Sequence, residues 1–363
     1  DGLYSAADWS LGVPRPPQTV EGMLTFSAEH PTTLKWRHMP FLEMLDEFLT
    51  DPKLKQLLTV LTGYLTDRPK DLTVGNMAPI FGYYFNGGRY PAGGSQRFPD
   101  LLVQVIRENG GAVHFKSSVE RILVANDAVR GIRLTDGAEI LAPAVVSNAD
   151  LSRTIGDLLK DVALPEEFAS RFGKLETSTS GLAVQLVVDF VPDVEPITIV
   201  SDGAGLGFAM SIPSLVDPEI APPGCAGIEL LSFVSKEEAL RWKRDDPDYA
   251  SRKLKACDAL VEQAAKLVPG LAEGIIFRED STPRTFEHFA WTEGGAIYGP
   301  AIRVERPPAK TPVRGLVLAG SSVFPGPGVE AAVISGALAA HAIDPSGIEA
   351  LGSQQAAEGH TSS

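Results

Sequence analysis

The stretch from Gly315 to Gly336 carries residue types suited to ligand chemistry. The apolar run Gly315–Ala319 predicts a buried strand, 320–328 (Gly-Ser-Ser-Val-Phe-Pro-Gly-Pro-Gly) a turn, and Val329–His341 a helix that opens directly from it. A helix amino end presents unpaired backbone N–H groups and the positive pole of the helix dipole. Gly326 and Gly328 have no Cβ, so a ligand can lie against their backbone. Such an end favours a phosphate or another electron-rich group. Glu330 is the candidate charged side chain beside that ligand; the other reading is a first-turn acid favoured by the dipole. Gly326-Pro-Gly328-Val-Glu-Ala331 also matches the G-x-G-x-x-A fingerprint. That fingerprint needs a second strand bearing an acid ~20 residues further on. Here the predicted helix reaches Asp344 and no strand pattern follows, so the match is incomplete and an ordinary β–α connection also explains it.

Gly203-Ala204-Gly205-Leu206-Gly207 is a second glycine cluster. It lies between two strand-like segments rather than before a helix, so it reads as a hairpin loop. No metal site is expected. Cys225 and Cys257 form no C-x-x-C pair and read as two reduced, buried thiols, with a disulfide as the alternative. His30, His38, His114, His288, His341 and His360 show no ligand spacing.

The elements that must position these groups follow from periodicity. Phe41–Phe48 places Phe41, Leu42, Leu45 and Phe48 on one helical face. Asp51 and Pro52 read as N-cap and first residue of a helix whose leucines (Leu54, Leu57, Leu58, Leu61 and Leu65) form a core stripe or the wall of an apolar tunnel. A helix is expected over Gln96–Asn109, ended by Gly110-Gly111. Strands are expected at Ala112–Phe115, Val119–Asn126, Ala128–Thr135, Glu139–Pro143 and Ala144–Ser147, with hairpin turns at Asn126-Asp127 and Asp136-Gly137. From 151 to 310 the pattern is an antiparallel sheet with helices: strands near Gly181–Phe190, Ile197–Val200, Gly207–Ile212, Ala226–Val234 and Gly274–Glu279, and an amphipathic helix over Asp248–Val268. In that helix Leu254, Cys257, Leu260, Val261, Ala264 and Leu267 share a face.

A chain of 363 residues exceeds a single ordinary core and points to two domains. With 44% hydrophobic and 21% charged residues it is globular rather than disordered. A formal net charge of −14 without a Lys/Arg cluster argues against nucleic acid. The longest apolar runs fall short of a ~20-residue membrane span, and the first residues carry no signal-peptide pattern.

Four segments, in order, resemble the flavoproteins of the phytoene desaturase, carotenoid isomerase and retinol saturase family, within the flavin-containing amine oxidase superfamily. They are Tyr90-Pro91-Ala92-Gly93-Gly94 with the helix and Gly110-Gly111 after it; Ser147-Asn148-Ala149-Asp150; Thr282-Pro283-Arg284-Thr285 with Glu293-Gly294-Gly295-Ala296-Ile297-Tyr298-Gly299; and Leu318-Ala319-Gly320 through Gly336. The resemblance covers about Phe41 to Ala342. It implies a fold of class α/β plus α+β, an incomplete FAD-binding Rossmann-like (GR2-type) domain interleaved with a mixed-sheet-and-helix substrate domain. It implies FAD as cofactor, the adenine passing His114–Val119 with Val119 as the backbone contact. Ser147, Asn148 and Ala149 would lie near the pyrophosphate, Gly320 and Ser321 near the ribityl–phosphate chain, and Gly328, Val329 and Glu330 would offer N–H groups to the flavin ring. Tyr298 and Glu293 would line the substrate side, with packing or surface roles as the other reading. One departure stands out: relatives place Asp after the glycine that Gly320 matches, and here Ser321 and Ser322 follow it.

The expected organisation is a helical lid region at 1–88, a first FAD-binding part at 89–150, a substrate-binding domain at 151–310, a second FAD-binding part at 311–344 and a flexible tail at 345–363. Nothing in 1–88 resembles the family's N-terminal βαβ unit of ~30 residues. The expectation is a chain lacking that segment, either a fragment or one completed by another polypeptide, and holding FAD weakly alone. The function implied is hydride transfer at the flavin on an apolar, polyene-like substrate: desaturation, saturation or isomerisation. The alternatives are a flavin amine oxidase-like enzyme, or a non-catalytic partner that binds apolar ligands. A cytoplasmic location is expected, with peripheral membrane contact at Trp36, Arg37 and His38 weighed against a solvated helix end.

Overall fold

The structure, a computed structural model, describes residues 20–66, 68–87, 89–201 and 206–346. The expected glycine hairpin at Gly203–Gly205, the first 19 residues and the tail beyond 346 lie outside the described residues.

The first part is helical: α1 (Val20–Glu29), α2 (Pro31–Trp36), α3 (Phe41–Phe48), α4 (Pro52–Thr59) and α5 (Val74–Asn86). Asp51 caps α4 as its sequence predicts, its carboxylate accepting from Lys53 N–H at 2.8 Å. Thr73 and Asn76 close a capping box on α5. Phe41, Leu45, Leu72 and Met77 form the buried centre. Only part of the leucine stripe joins it: Leu58, Leu61 and Leu65 pack against the centre, while Leu54 and Leu57 are exposed.

Helix α6 (Arg97–Glu108) ends at Gly110 in the left-handed region (φ 78°), with Gly111 N–H bonded back to Ile106 O at 2.8 Å. Strands β1 (Val119–Ala125), β2 (Ala128–Leu134) and β3 (Glu139–Leu141) form an antiparallel meander. Asn126 and Asp127, at φ 53° and 56°, make the tight turn with two positive-φ residues that matches strand twist. The strand expected at Ala112–Phe115 does not form. A strand needs a neighbouring edge, no described strand pairs with this segment, and Lys116 turns it into the left-handed region at φ 56°.

Strand β4 (Val145–Ser147) pairs in parallel with the distant β10 (Leu316–Leu318), in the register Leu316–Val145, Val317–Val146, Leu318–Ser147. Between them lie α7 (Glu166–Phe172) and a five-stranded antiparallel sheet, order β6-β7-β8-β5-β9. Its strands are β5 (Ser180–Val188), β6 (Ile197–Ser201), β7 (Leu206–Ser211), β8 (Ala226–Val234) and β9 (Ile275–Ser281). Helix α8 (Tyr249–Ala265) seals one face of this sheet, Cys257, Leu260, Val261 and Ala264 packing on Val184, Leu186, Ile228 and Leu230. Leu254 and Leu267, expected on that face, sit at its edges and are exposed. Helix α9 (Pro283–Ala290) follows β9, and α10 (Val329–Ile343) follows β10.

Both cysteines are free, and the expectation of two buried thiols holds only for Cys257; Cys225 is partly exposed. Burial pushes the Cys257 thiol up to about 11. At pH 8 the native protein is expected to show one fast-reacting thiol, Cys225, and Cys257 to react only on unfolding. The folded thiol titrates above the unfolded one (~8.5), so its contribution to stability is complete below that value and is lost as pH rises toward 11. Two fast thiols in the native protein would contradict this packing.

Candidate functional site

The site grows from the paired carboxyl ends of β4 and β10. Val145 N–H donates to Gly315 O and Ala319 N–H to Ser147 O, which locks the two exits side by side. After β4 the turn Ser147–Asp150 is held from beneath. Ser147 Oγ lies 2.8 Å from Thr154 Oγ1, which donates to Ala149 O at 3.3 Å. After β10, Gly320 takes φ 97° and donates its N–H to the buried Ser335 hydroxyl of α10 at 2.9 Å. Glycine suits this φ, and a Cβ would stand 2.0 Å from Asn148 Oδ1, which would have to move.

The sequence departure at Ser321 and Ser322 has a structural counterpart. Ser322 Oγ donates to Asp150 Oδ2 at 3.0 Å, so a carboxylate reaches this loop from the neighbouring turn rather than from the loop itself. Asp150 also accepts from Ser152 N–H at 3.0 Å through its other oxygen. Sequence reasoning quoted Asp150 but gave it no role, because its partner lies 172 positions away.

Two cavities open at these strand ends. One, of about 300 Å³, is lined by Asn148, Asp150, Phe286, Thr292, Ser321 and Ser322 among others. The other, of about 370 Å³, is lined by Val119, Ser147, Asn148, Ala149, Leu158 and Trp291 among others. Asn148 lines both. The structure thus gathers Val119, Ser147, Asn148 and Ala149 around one space, and Asn148 and Ser321 around its neighbour, beside Gly320. Gly328, Val329 and Glu330 stand apart from both linings. They are exposed at the amino end of α10, and a Cβ on Gly328 would meet no atom within 4 Å. Glu293 is exposed. Tyr298 turns away from both cavities: its hydroxyl donates to Gly63 O at 2.8 Å, its ring meets Phe233 edge-on, and burial raises its pKa. It ties the helical region to the strap that carries Gly299.

Arg306 was not expected at the site. Its guanidinium donates to Pro300 O at 2.7 Å, Ser321 O at 3.2 Å and Tyr298 O at 3.4 Å, fastening that strap to the loop after β10. Its neighbour is Gly326, where a Cβ would stand 3.3 Å from Nε. Desolvation brings its pKa down to about 10. Among the described residues it forms no ion pair, so backbone carbonyls alone hold it.

The arrangement agrees with what the chain is similar to. The family model of flavin containing amine oxidoreductases matches residues 23–344. The chloroplastic prolycopene isomerase of Daucus carota is 31% identical over 279 residues, 72% of this chain and 45% of that protein. The neurosporene-forming phytoene desaturase of Rhodobacter capsulatus is 31% identical over 287 residues, 71% of this chain and 54% of that one. The chain spans about half the length of the curated relatives it matches. A solved oxidoreductase from Methanosarcina mazei shares the fold, with a TM-score of 0.61 at 19% identity, over 87% of this chain and 72% of that chain. Since the family model runs from α1 through α10 and takes in both strand exits, the chain belongs to the flavin containing amine oxidoreductase family.

Proposed function

We propose that this chain forms the substrate side and part of the cofactor side of an FAD-dependent oxidoreductase acting on an apolar, polyene-like substrate by desaturation, saturation or isomerisation. The observation that carries the reading is the pair of cavities meeting at Asn148, outside the carboxyl ends of parallel β4 and β10. Ligands of open α/β sheets bind at that place. The residues fit the group: Gly320 lets the Asn148 carboxamide sit against the loop between the two cavities, and the buried Thr292 Oγ1 has no hydrogen-bond partner among the described residues. Val119 would meet the adenine end, Ser147, Asn148 and Ala149 the pyrophosphate, and Gly320 and Ser321 the ribityl chain. Gly328, Val329 and Glu330 would present N–H groups to the ring. When bound, FAD supplies the hydride acceptor or donor; the chain's own groups bind, orient and exclude water. Prolycopene, phytoene and retinol, in the names of its relatives, support a polyene-like substrate class.

The division proposed is 89–150 with 311–344 for the cofactor, 151–310 for the substrate and 1–88 as lid. Helix α6 exposes Phe98, Leu101, Leu102, Val105 and Ile106 together, and buries none of its residues. A stripe of this kind is normally packed. Val333 of α10 and Val146 of β4 are also exposed. These faces suit a further strand–helix unit of the cofactor domain, such as the family's N-terminal βαβ segment. No helix among the described residues is long and apolar enough to cross a membrane. Peripheral contact is proposed at Trp36, which stacks under Lys35 and against Phe48.

The test is to load the full-length protein with FAD and offer it cis- and trans-polyenes, following products by chromatography. Conversion of a polyene is expected; conversion of amines alone would overturn the substrate class. Gly320→Ala bears on the cofactor half. Asn148 is exposed enough to swing aside, so stability falls by only about 1–3 kcal/mol, mostly from the strained φ. The displaced carboxamide then intrudes on the cavities it borders, and FAD affinity is expected to drop about tenfold or more (~1.4 kcal/mol) by calorimetric titration.

A further inference from the structure

Helix α9 ends in an unusual way. The residue in the left-handed position at its carboxyl end, where glycine or asparagine is usual, is Trp291, at φ 58° and ψ 20°. Its N–H caps the helix on Glu287 O, and its own carbonyl accepts from Arg153 Nε at 3.3 Å. The ring is not folded into a core; Trp291 is 43% exposed and lines the cavity that holds Val119 and Ser147–Ala149. The next residue, Thr292, lines the other cavity, with Asp150 and Ser322. Thr292 is 7% exposed, and its hydroxyl, shielded from water, has no partner among the described residues. Leaving a buried hydroxyl unpaired is costly, and a change of χ1 rotamer is cheap. A ligand that brought an acceptor into this cavity would therefore recruit it. Two adjacent residues thus line two adjacent cavities on either side of Asn148, an exposed indole at one and, at the other, a threonine whose buried hydroxyl a rotamer change would bring to a ligand.

We infer that Trp291 and Thr292 form a two-part ligand clamp: the indole packs on a planar heteroaromatic ring, and the Thr292 hydroxyl donates to an oxygen or nitrogen of the same extended molecule. This rests on the flavin dinucleotide reading above; it adds Trp291 to that reading and gives the Thr292 hydroxyl a specific role. The ring against Trp291 is adenine, because Trp291 lines the same cavity as Val119.

The test uses the full-length protein, flavin-depleted, titrated with FAD, ADP and FMN while indole fluorescence is read. The chain holds four tryptophans, so the signal assigned to Trp291 is the part of the quenching that is lost in Trp291→Phe. Quenching by ADP that vanishes in Trp291→Phe supports the clamp; quenching at Trp291 by FMN and not by ADP overturns it. Trp291→Leu should weaken FAD about tenfold or more, as loss of a stacking platform does. Thr292→Val should weaken it about three- to tenfold, with Thr292→Ser restoring it. The melting temperature of ligand-free Thr292→Val should stay level or rise, because no hydrogen bond is lost; a structural role would lower it. If the wild type binds FAD and Trp291→Leu and Thr292→Val bind it equally well, the clamp is wrong and the flavin reading stands. If the wild type takes up no flavin, both fall.

Discussion

Gly295→Ala should cost about 3 kcal/mol or more of folding stability. Gly295 takes φ 69°, which an L side chain adopts only under strain. A Cβ there would lie 2.1 Å from Pro283 O, 2.9 Å from Pro283 C and 3.0 Å from Ser180 Oγ. None of these can swing away. Pro283 is buried as the first residue of α9, and Ser180 Oγ is already held by its bond to Gly295 O at 2.8 Å. Relief would require moving α9 away from β5, and with it Trp291 and Thr292. The adjacent residue supplies the control. Gly294 has nearly the same φ, 64°, but a Cβ there would meet Leu240 Cδ2 at 3.4 Å, an ordinary contact. Gly294→Ala should therefore lose only the backbone term, about 1–2 kcal/mol. Urea unfolding of both variants decides the matter: equal midpoints would contradict the packing between α9 and the strap that follows it.

Arg306→Met should be the most damaging side-chain change near the cavities. The variant keeps much of the length but removes every donor to Tyr298 O, Pro300 O and Ser321 O. At ~1 kcal/mol net per hydrogen bond, a loss of about 2–4 kcal/mol follows. The loop Ser321–Gly328 should loosen with it, which limited proteolysis would detect. Relief of the buried charge works in the opposite direction, and pH reveals it. The folded guanidinium titrates near 10, below its unfolded value, so the folded state releases its proton first. Stability from this group therefore rises as pH climbs through about 10, and below that the desolvation cost is carried in full. The gap between wild type and Arg306→Met should widen above pH 10. A gap of constant size would mean that the guanidinium keeps its proton through this range. Arg306→Lys keeps the charge but lacks the fork that spans three carbonyls, and should fall between the two.

Elements governed by local chemistry were legible in the sequence. Asp51-Pro52, the turn at Asn126-Asp127 and the strand–turn–helix from Leu316 to Ile343 each follow from a residue whose backbone preference admits one answer. Helix α9 was not read, since Thr282 and Pro283 directly follow a strand and the helix lasts only eight residues. Ala112–Phe115 alternates like a strand but lacks an edge to pair with, which composition cannot show. Helix α6 was legible as a helix ended by Gly110-Gly111, yet its apolar residues Phe98, Leu101, Leu102, Val105 and Ile106 remain exposed among the described residues. At the site, the glycines and the Ser147–Asp150 turn were visible as types. Ser322 with Asp150, Arg306 with three carbonyls, and the unpaired Thr292 hydroxyl were not. Each depends on partners far apart in the chain, or on a partner being absent, and neither leaves a trace in local spacing.

Hydrogen–deuterium exchange of the full-length protein, with and without saturating FAD, tests most directly whether the cofactor lies across the ends of β4 and β10. Slowed exchange at two segments, 147–150 and 319–322, and at the N–H groups of 328–330 that would meet the ring, with α9 and Thr292 following, is the predicted result. Tight FAD binding that leaves those two segments exchanging as before would place the cofactor elsewhere and contradict the account.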